Sequence, residues 1–318
     1  MDYKKNQNKY ILTVTLNPAV DTAITFKKAG NIFRWGNQIQ SAGGKGINVA
    51  RTLNHFGLPH LATGIIGGEN GRRIRHLADQ EKMRHQFFEV AAESRNNIIL
   101  FNPKLKEGVR IFPKTPSISR KEFLVFKKLY ERLLQNANLV VLSGSVLNGL
   151  PSTVYAELTL MANRIKVPVF LDAGQDVLRE GLKATPTWVK PNQQEIEELL
   201  GIKITNIDEA CKAVRRLKSY KIDHIFLSLG AKGAIGCNKN DLWYAKSPLV
   251  KVVNSVGCGD TFVAAVCFGF TQKLSFCDCL KLGVAAGSVN ATALVPGRIN
   301  RAQVLKMANR IKLKKLCI

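Results

Sequence analysis

The sequence predicts an α/β fold in which a mainly parallel sheet is covered by helices on both faces. Apolar, strand-like runs alternate with helix-like segments through most of the 318 residues, which is typical of such sheets. Hydrophobic residues make up 46% of the chain, enough for a large core. Several of the strands end in polar residues, among them Asn17, Asp172, Asn192 and Ser228. Because ligands bind at the carboxyl ends of parallel strands, these residues indicate where a site should form.

The first third of the chain predicts the start of this sheet and a flap. A strand over Tyr10–Leu16 is stopped by Asn17-Pro18. Two hairpin-like segments, at about residues 17–42 and 94–114, predict a small β lid inserted in a single domain that spans residues 1–318. Further strands are expected at 61–66, 139–142, 167–171, 187–189, 225–229, 233–237 and 242–245. Helices are expected at 47–56, 123–134, 154–165, 195–200 and 260–270.

Composition excludes several classes of protein. No apolar run is long enough for a membrane span, and the first residues lack a signal-peptide pattern. The seven cysteines form no repeated Cys-x-x-Cys pair, which argues against a zinc site and against a disulfide framework. We therefore expect a reduced, cytoplasmic protein with no membrane partner.

The net charge of +24, from 47 Lys and Arg against 23 Asp and Glu, should attract anions. The basic residues are scattered, and no nucleic-acid recognition motif stands out, so we expect no specific nucleic-acid partner. The positive electrostatic field is better explained by attraction of phosphorylated small molecules, such as a phosphorylated substrate. The last basic cluster, Lys312–Lys315, is interpreted as the solvated end of a helix.

The strongest local pattern is a glycine turn at 254–265 that leads directly into an apolar helix. Gly257 and Gly259 bracket the small Cys258, so that a ligand can approach the backbone. The free amides of a helix N-terminus bind phosphate, and the same dipole favours an ionised Asp260 in the first turn. A carboxylate beside a phosphate cradle suits a general base, although an Asp that merely begins a helix gives the same pattern.

Two more motifs open helices. Gly43-Gly-Lys-Gly-Ile-Asn48 lacks the spacing and the Ser or Thr of a Walker A loop, and by itself it is equally a simple helix entry. In Lys190-Pro-Asn-Gln-Gln-Glu195 the proline marks the end of a strand. Asn192 and Glu195 then have the spacing of a capping box, which needs no functional explanation.

The three motifs occur together, in the chain order 43–48, 190–195 and 254–265, and the chain thereby resembles the ribokinase-like (PfkB) carbohydrate kinases. The likeness extends from about residue 11 to about residue 305 and is strongest to the sugar-phosphate branch, with its 1-phosphofructokinases, tagatose-6-phosphate kinases and minor 6-phosphofructokinases. The resemblance implies a three-layer α/β/α sandwich with a small β-sheet lid. It also implies ATP and Mg²⁺ as cofactors.

The resemblance assigns roles to residues that match the family motifs. Asp260 would be the general base, and the amides of Gly257, Cys258 and Gly259 would stabilise the transferring phosphoryl group. The substrate-binding residues would be Asp21, Gly43, Gly44, Lys45, Asn48, Arg95 and Arg34, with Lys45, Arg95 and Arg34 toward a sugar phosphate. The ATP-binding residues would be Lys190, Asn192, Ser228, Gly230, Gly233, Ala286 and Asn290. Asn192 and Glu195 would hold Mg²⁺ through its water shell.

These roles predict an ATP-dependent kinase of a ketohexose phosphate, with fructose 1-phosphate favoured and tagatose 6-phosphate and fructose 6-phosphate close behind. A kinase of another sugar or nucleoside, and a non-catalytic sugar or nucleotide binder, remain alternatives. The segments Val146–Gly149 and Asp172–Gly174 depart from the family pattern, which leaves the substrate open. Related lids pair between subunits, so a homodimer is expected.

Overall fold

The computed structural model describes residues 9–29, 32–101, 109–239 and 241–316. The strands are β1 (Tyr10–Thr15), β2 (Ala19–Ala29), β3 (Ile32–Gly43), β4 (His60–Gly67), β5 (Phe88–Val90), β6 (Arg95–Phe101), β7 (Val109–Ile111), β8 (Ala137–Ser143), β9 (Val169–Asp172), β10 (Trp188–Val189), β11 (His224–Ser228), β12 (Ala234–Cys237), β13 (Leu242–Ala245) and β14 (Leu313–Leu316). The helices are α1 (Lys45–His55), α2 (Gly68–Gln80), α3 (Arg120–Leu134), α4 (Val154–Arg164), α5 (Gln175–Lys183), α6 (Gln193–Leu200), α7 (Ile207–Leu217), α8 (Cys258–Thr271), α9 (Phe276–Asn290) and α10 (Arg301–Ala308).

The larger of the two sheets organises the molecule. Its ten strands run in the order β14-β13-β12-β11-β10-β9-β8-β1-β4-β5. Seven neighbouring strands of this sheet pair in parallel: β5, β4, β1, β8, β9, β10 and β11. Strands β12, β13 and β14 extend it beyond β11 with antiparallel pairing. The parallel strands therefore all present their carboxyl ends at the same edge, where the chain leaves β8 at Ser143, β9 at Asp172 and β11 at Ser228.

Helices cover both faces of this sheet. The helices α3 to α7 pack on one face through a core that includes Leu12, Phe126 and Leu171. Helices α1, α8, α9 and α10 pack on the other face, and that core includes Ile11 and Phe170. Neighbouring residues of one strand thus point into opposite cores, as the pleat requires. The result is the expected α/β/α sandwich.

The second sheet has four strands in the order β3-β2-β6-β7. Strands β2 and β6 pair in parallel, and each carries an antiparallel partner, β3 and β7 respectively. The two predicted hairpins therefore join in one small sheet. Its inner end reaches the large sheet, because β2 follows β1 after a short turn and β3 leads through Gly43 and Gly44 into α1.

The fold class expected from the sequence is confirmed, and the differences lie in individual elements. Helices α5 and α7 were not expected, and α1 begins at Lys45 rather than at Ile47. The interpretation of Lys312–Lys315 as a helix end is wrong. Residues Leu313–Leu316 form β14, which pairs antiparallel with β13 at the edge of the sheet. Across the described parts of the chain, no helix has the length and apolar character to span a membrane.

Candidate active site

One cleft of about 840 Å³ lies where the carboxyl edge of the large sheet meets the small sheet and the start of α8. Its wall contains most of the residues that the sequence assigned to catalysis and binding: Asp21, Gly44, Lys45, Asn48, Arg95, Lys190, Asn192, Ser228, Gly230, Gly233, Gly257, Cys258, Gly259 and Asp260. These positions are dispersed along the chain, and the parallel topology is what gathers them.

The glycine turn before α8 has the geometry of an anion site. Gly257 adopts a φ of 79° as the N-cap residue, and a Cβ atom there would lie 2.6 Å from the Pro296 side chain. The position therefore requires glycine on two grounds. The first amides of α8, from Cys258 to Asp260, have no acceptor within the helix and face the same cleft. They are available to a bound phosphate.

Asp260 is buried in the first turn of α8, and its Oδ2 accepts a hydrogen bond of 2.8 Å from Nδ2 of Asn48. Burial, with a smaller contribution from the nearby Asp172 carboxylate, raises the pKa of Asp260 to about 6. Lys45, Asn48 and Lys190 oppose this shift. We expected the helix dipole to favour the ionised form of Asp260, but burial dominates and the pKa is raised. A pKa near 6 still leaves the group largely ionised at neutral pH and well matched to general-base work.

Lys45, Lys190 and Asp172 form the floor of the cleft beside Asp260, and Glu195 pairs with Lys45 from outside the lining. Lys190 Nζ lies 3.1 Å from Oδ1 of the buried Asp172. Lys45 Nζ lies 3.5 Å from the same oxygen and 3.4 Å from Oε1 of Glu195. Burial alone would lower the pKa of Lys45, but Asp172 and Glu195 together outweigh it and raise that pKa, so Lys45 is charged. The floor thus offers two fixed cations to an anionic ligand.

Asp21, on β2 of the small sheet, marks the opposite side of the cleft. Asn97 Nδ2 donates to its Oδ1 at 2.7 Å, and Arg95 Nη2 donates to the Asn17 carbonyl at 3.0 Å. A Cβ atom on Gly43 would lie 2.2 Å from the Asp21 carboxylate, so only glycine lets that carboxylate occupy its place. Burial raises the pKa of Asp21, against the hydrogen bond from Asn97 and the charge of Arg95.

Three buried polar atoms near Asp21 have no hydrogen-bond partner among the described residues. They are Oδ1 of Asn17, Oδ1 of Asn97 and Nε of Arg95. All three residues line the cleft. Because buried polar atoms are nearly always paired in native proteins, such a group is expected where a polar ligand completes the site. Two acceptors and one cationic donor fit hydroxyl groups beside an anionic group.

Asn192 and Glu195 form the capping box of α6 that the sequence also allowed. Asn192 Oδ1 accepts from the Glu195 amide at 2.8 Å, and Glu195 Oε2 accepts from the Asn192 amide at 2.9 Å. No group of three or more His, Cys, Asp or Glu suited to a metal occurs within the described ranges. Direct ligation by a protein cage is therefore not supported. A hydrated Mg²⁺ fits better, since it keeps most of its waters and needs few protein oxygens.

Not every assigned residue lines the cleft. Gly43 and Glu195 lie behind its wall, against Asp21 and Lys45 respectively. Ala286 and Asn290 of α9 are buried and are absent from the cleft wall, which Gly287 and Ser288 line instead. Asn290 supports the glycine turn, because its Nδ2 donates to the Val256 carbonyl at 2.8 Å. Arg34 belongs to β3, but its side chain lies outside the described residues, as do Gly30 and Asn31.

Three residues that the sequence analysis did not assign now belong to the site. Asn97 donates a hydrogen bond to Asp21. The available signal was its position two residues after Arg95 in β6, which puts both side chains on the same face of the strand. Arg110 of β7 lines the cleft, and its Nη2 donates to Ser255 Oγ at 3.1 Å, just before the glycine turn. Arg51 of α1 is buried behind Asn48 and donates to its Oδ1 at 2.7 Å.

The layered sandwich, the small sheet and the cleft between them define a ribokinase-like protein. The family description "pfkB family carbohydrate kinase" matches residues 15–298. The chain therefore belongs to the pfkB family of carbohydrate kinases.

Solved structures agree with this assignment. The phosphofructokinase-2 of Escherichia coli is 26% identical with a TM-score of 0.87, and the match covers 95% of this chain and 99% of that one. A protein of Thermotoga maritima described as a possible 1-phosphofructokinase is 25% identical with a TM-score of 0.88, covering 96% and 99%. The ribokinase of Arabidopsis thaliana, at 21% identity and a TM-score of 0.74 over 94% and 99%, shares the fold.

Proposed function

We propose that the protein transfers the γ-phosphoryl group of ATP to a hydroxyl of a ketohexose phosphate, with fructose 1-phosphate as the favoured acceptor. One observation carries the proposal. In a single cleft, the carboxylate of Asp260 lies at the start of α8, opposite a group of unpartnered polar atoms around Asp21. A base, a phosphate cradle and a polyol site are the parts that sugar phosphorylation needs.

Asp260 takes the proton of the attacking hydroxyl as the new oxygen–phosphorus bond forms. The bond from the γ-phosphorus to the β,γ-bridging oxygen breaks, and ADP leaves with that electron pair. The carboxylate has a pKa of about 6, so it is mostly free to accept the proton at neutral pH. Asn48, which donates to Oδ2 of Asp260 at 2.8 Å, leaves Oδ1 toward the acceptor.

Negative charge on the transferring group is met by fixed donors. The amides of Gly257, Cys258 and Gly259 face it at the start of α8, where the helix dipole adds to their effect. Lys190 and Lys45 lie close by, and a Cβ atom on Gly259 would come within 3.2 Å of Lys190 Nζ. Mg²⁺, held through water by Asn192 and Glu195, would neutralise phosphate charge when bound.

The acceptor lies between Asp260 and the small sheet. Asp21, Asn97 and Asn17 bind its hydroxyls, and Arg95 meets its phosphate with a fork suited to that anion. An unphosphorylated sugar carries no anionic group that could pair with this guanidinium. The names of the two phosphofructokinases above support a phosphorylated ketohexose as acceptor. Fructose 6-phosphate and tagatose 6-phosphate remain close alternatives to fructose 1-phosphate.

The small sheet acts as a lid that excludes water during transfer, which limits hydrolysis of ATP. We further propose that two lids pair in a homodimer. Strand β7 supports this, because Val109 and Ile111, two residues apart and so on the same face of the strand, are exposed at 54% and 49%. The E. coli relative also occurs as a tetrameric inhibited form, so lid pairing should be measured directly for this chain.

The test is release of ADP from Mg-ATP with fructose 1-phosphate, fructose 6-phosphate, tagatose 6-phosphate and unphosphorylated fructose, for the wild type and for Asp260→Asn. We expect turnover with one phosphate ester and a loss of at least about 100-fold in the variant. The preferred ester then identifies the acceptor.

Other outcomes reassign the site. Turnover with free fructose alone would contradict the phosphate role of Arg95 and Lys45. If folded protein binds ATP but phosphorylates none of the four, a nucleoside or another sugar becomes the candidate acceptor. If no acceptor is found, a non-catalytic binder becomes the better explanation.

A further inference from the structure

Arg51 is the largest fully buried side chain among the described residues, with 1% of its surface exposed. It lies on α1, where an arginine would ordinarily face solvent. Burying a guanidinium is costly unless its N–H groups are paired. Four hydrogen bonds meet that cost, and they run to four different parts of the chain.

Two of these bonds hold backbone segments that support cleft-lining glycines. Arg51 Nη2 donates to the carbonyl of Ala42, directly before Gly43 and Gly44. Nη1 donates at 3.0 Å to the carbonyl of Pro296, whose ring packs against Gly257. The guanidinium therefore joins the entry of α1 to the loop behind the anion turn. Glu81, which accepts from Nε, supplies the countercharge.

The remaining bond bears on the base. Arg51 Nη1 donates to Asn48 Oδ1 at 2.7 Å, and Asn48 Nδ2 donates to Asp260 Oδ2 at 2.8 Å. An amide has one acceptor end and one donor end. Because Arg51 can only donate, it fixes the oxygen of Asn48 on its own side, which leaves the NH₂ group facing Asp260.

We propose that Arg51 is a positioning residue for phosphoryl transfer, which holds the Asn48 amide in the single orientation that donates to Asp260. This proposal rests on the function proposed above. Without the guanidinium, the amide is free to turn, and its oxygen then faces the Asp260 carboxylate instead of its donor. A displaced base costs turnover more than it costs substrate binding.

The charged groups around Asp260 make the effect measurable. Asp172 of β9 disfavours its ionised form, whereas Lys45 of α1 and Lys190 beyond β10 favour it, together with the Asn48 hydrogen bond. Losing that bond leaves the other three in place. The pKa of Asp260 should therefore rise, and the acidic limb of the pH–rate profile should move up with it.

The experiment compares Arg51→Lys with Arg298→Lys. Arg298 also pairs with Glu81, its Nη2 lying 3.2 Å from Oε1, but among the described residues it makes no hydrogen bond to Asn48, and it is 52% exposed. It is thus a matched control for the loss of an arginine fork near the same carboxylate. We expect Arg51→Lys to lower kcat by about 100-fold with little change in the KM for ATP. Its acidic limb should shift upward by about one pH unit, whereas Arg298→Lys keeps the wild-type limb.

Asn48→Asp gives a second variant should Arg51→Lys fail to fold. The new carboxylate pairs with Arg51, so we expect a stable fold, but no donor then faces Asp260 and turnover is lost. A wild-type acidic limb in folded Arg51→Lys, or wild-type turnover in folded Asn48→Asp, would overturn the proposal. So would an Arg51→Lys protein that loses thermal stability but keeps its kcat, because Arg51 would then be only structural.

A direct titration separates this proposal from the proposed function. Isotope-edited infrared spectra of Asp carboxyl groups, with the spectrum of Asp260→Asn subtracted, follow the protonation of Asp260 without any substrate. If the wild type phosphorylates no sugar phosphate but Arg51→Lys raises the titration midpoint, the function fails and the positioning role stands. An unchanged midpoint in Arg51→Lys refutes the positioning role whatever the acceptor is.

Discussion

Asp260 is expected to set the pH dependence of turnover. Only its ionised form accepts a proton, and burial raises its pKa to about 6. We therefore expect kcat to fall as the pH drops through about 6, with a slope for one proton. Initial rates between about pH 5 and pH 8 with saturating substrates check this. A flat profile through that range would remove Asp260 from the role of base.

The same carboxyl group should affect stability in the opposite sense. Its pKa in the folded protein lies above the ordinary value of 3.8, so the folded state binds a proton more tightly than the unfolded state. The stabilising contribution of protonated Asp260 is complete below pH 3.8 and is lost as the pH rises through about 6. Asp260→Asn removes this contribution. The melting temperature of the variant minus that of the wild type should therefore increase between about pH 4 and about pH 7, because only the wild type loses this contribution. Thermal scans of both proteins across that range measure the difference.

Arg95 should distinguish phosphorylated acceptors from neutral ones. Arg95→Lys keeps the charge but loses the fork, and we expect the KM for the sugar phosphate to rise by about 10-fold to 100-fold. Any slow turnover of the free sugar should change little. Lys114→Gln, an exposed cation that is not among the cleft-lining residues, is the control. An equal loss with both acceptors would mean that Arg95 acts through Asn17 rather than on the phosphate.

At this scale the sequence was most informative where chemistry demands a residue type and least where contacts decide. The glycines at 43, 44 and 257 and the carboxylates at 21 and 260 follow from local pattern and family resemblance, and the cleft gathers all but Gly43 along its wall. Arg51 gave no such signal, since an arginine on a helix is usually exposed. Its spacing of three residues from Asn48 puts both on one helix face, but only the fold reveals that this face is buried.

At the scale of elements, β7 connects the small sheet to the glycine turn before α8. Arg110 reaches across the cleft to Ser255. In the proposed lid, this contact would hold the small sheet over the glycine turn. We expect Arg110→Gln to increase ATP hydrolysis without acceptor relative to sugar phosphorylation, because a looser lid admits water. Parallel assays of ADP release with and without sugar phosphate measure that ratio. An unchanged ratio would show that the contact does not control closure.

Elements were predicted best where burial is strong. The buried strands β1, β4 and β8 appear near their expected positions, since apolar runs bounded by turns leave few alternatives. Helix α7, whose polar and apolar residues alternate with helical period over Ile207–Leu217, was missed among many charged residues. Strand β14 depends on pairing with β13, and nothing local in Lys-Leu-Lys-Lys distinguishes it from a helix end.

At the scale of the whole molecule, the charge of +24 predicts a salt dependence. Both proposed substrates are anions, so kcat/KM should fall as ionic strength rises from about 0.01 M to about 0.3 M. The change should appear mainly in KM, since kcat depends on groups within the closed cleft. Kinetics in NaCl series test this, with unphosphorylated fructose as the weakly affected comparison. Equal responses for charged and neutral acceptors would contradict electrostatic attraction.

The ends of the large sheet bear on how the protein behaves at high concentration. An unpaired strand offers its free backbone groups to any neighbouring chain, and long flat edges invite fibres. Here one edge is the three-residue β5, and the other is β14, of four residues. In β14, Lys314 and Lys315 are exposed on opposite faces of the edge strand, and Lys315 Nζ lies 2.7 Å from Oδ1 of Asp241. Sheet-to-sheet aggregation is thereby disfavoured, so replacing both lysines with Val or Thr should promote it even though the cleft is untouched.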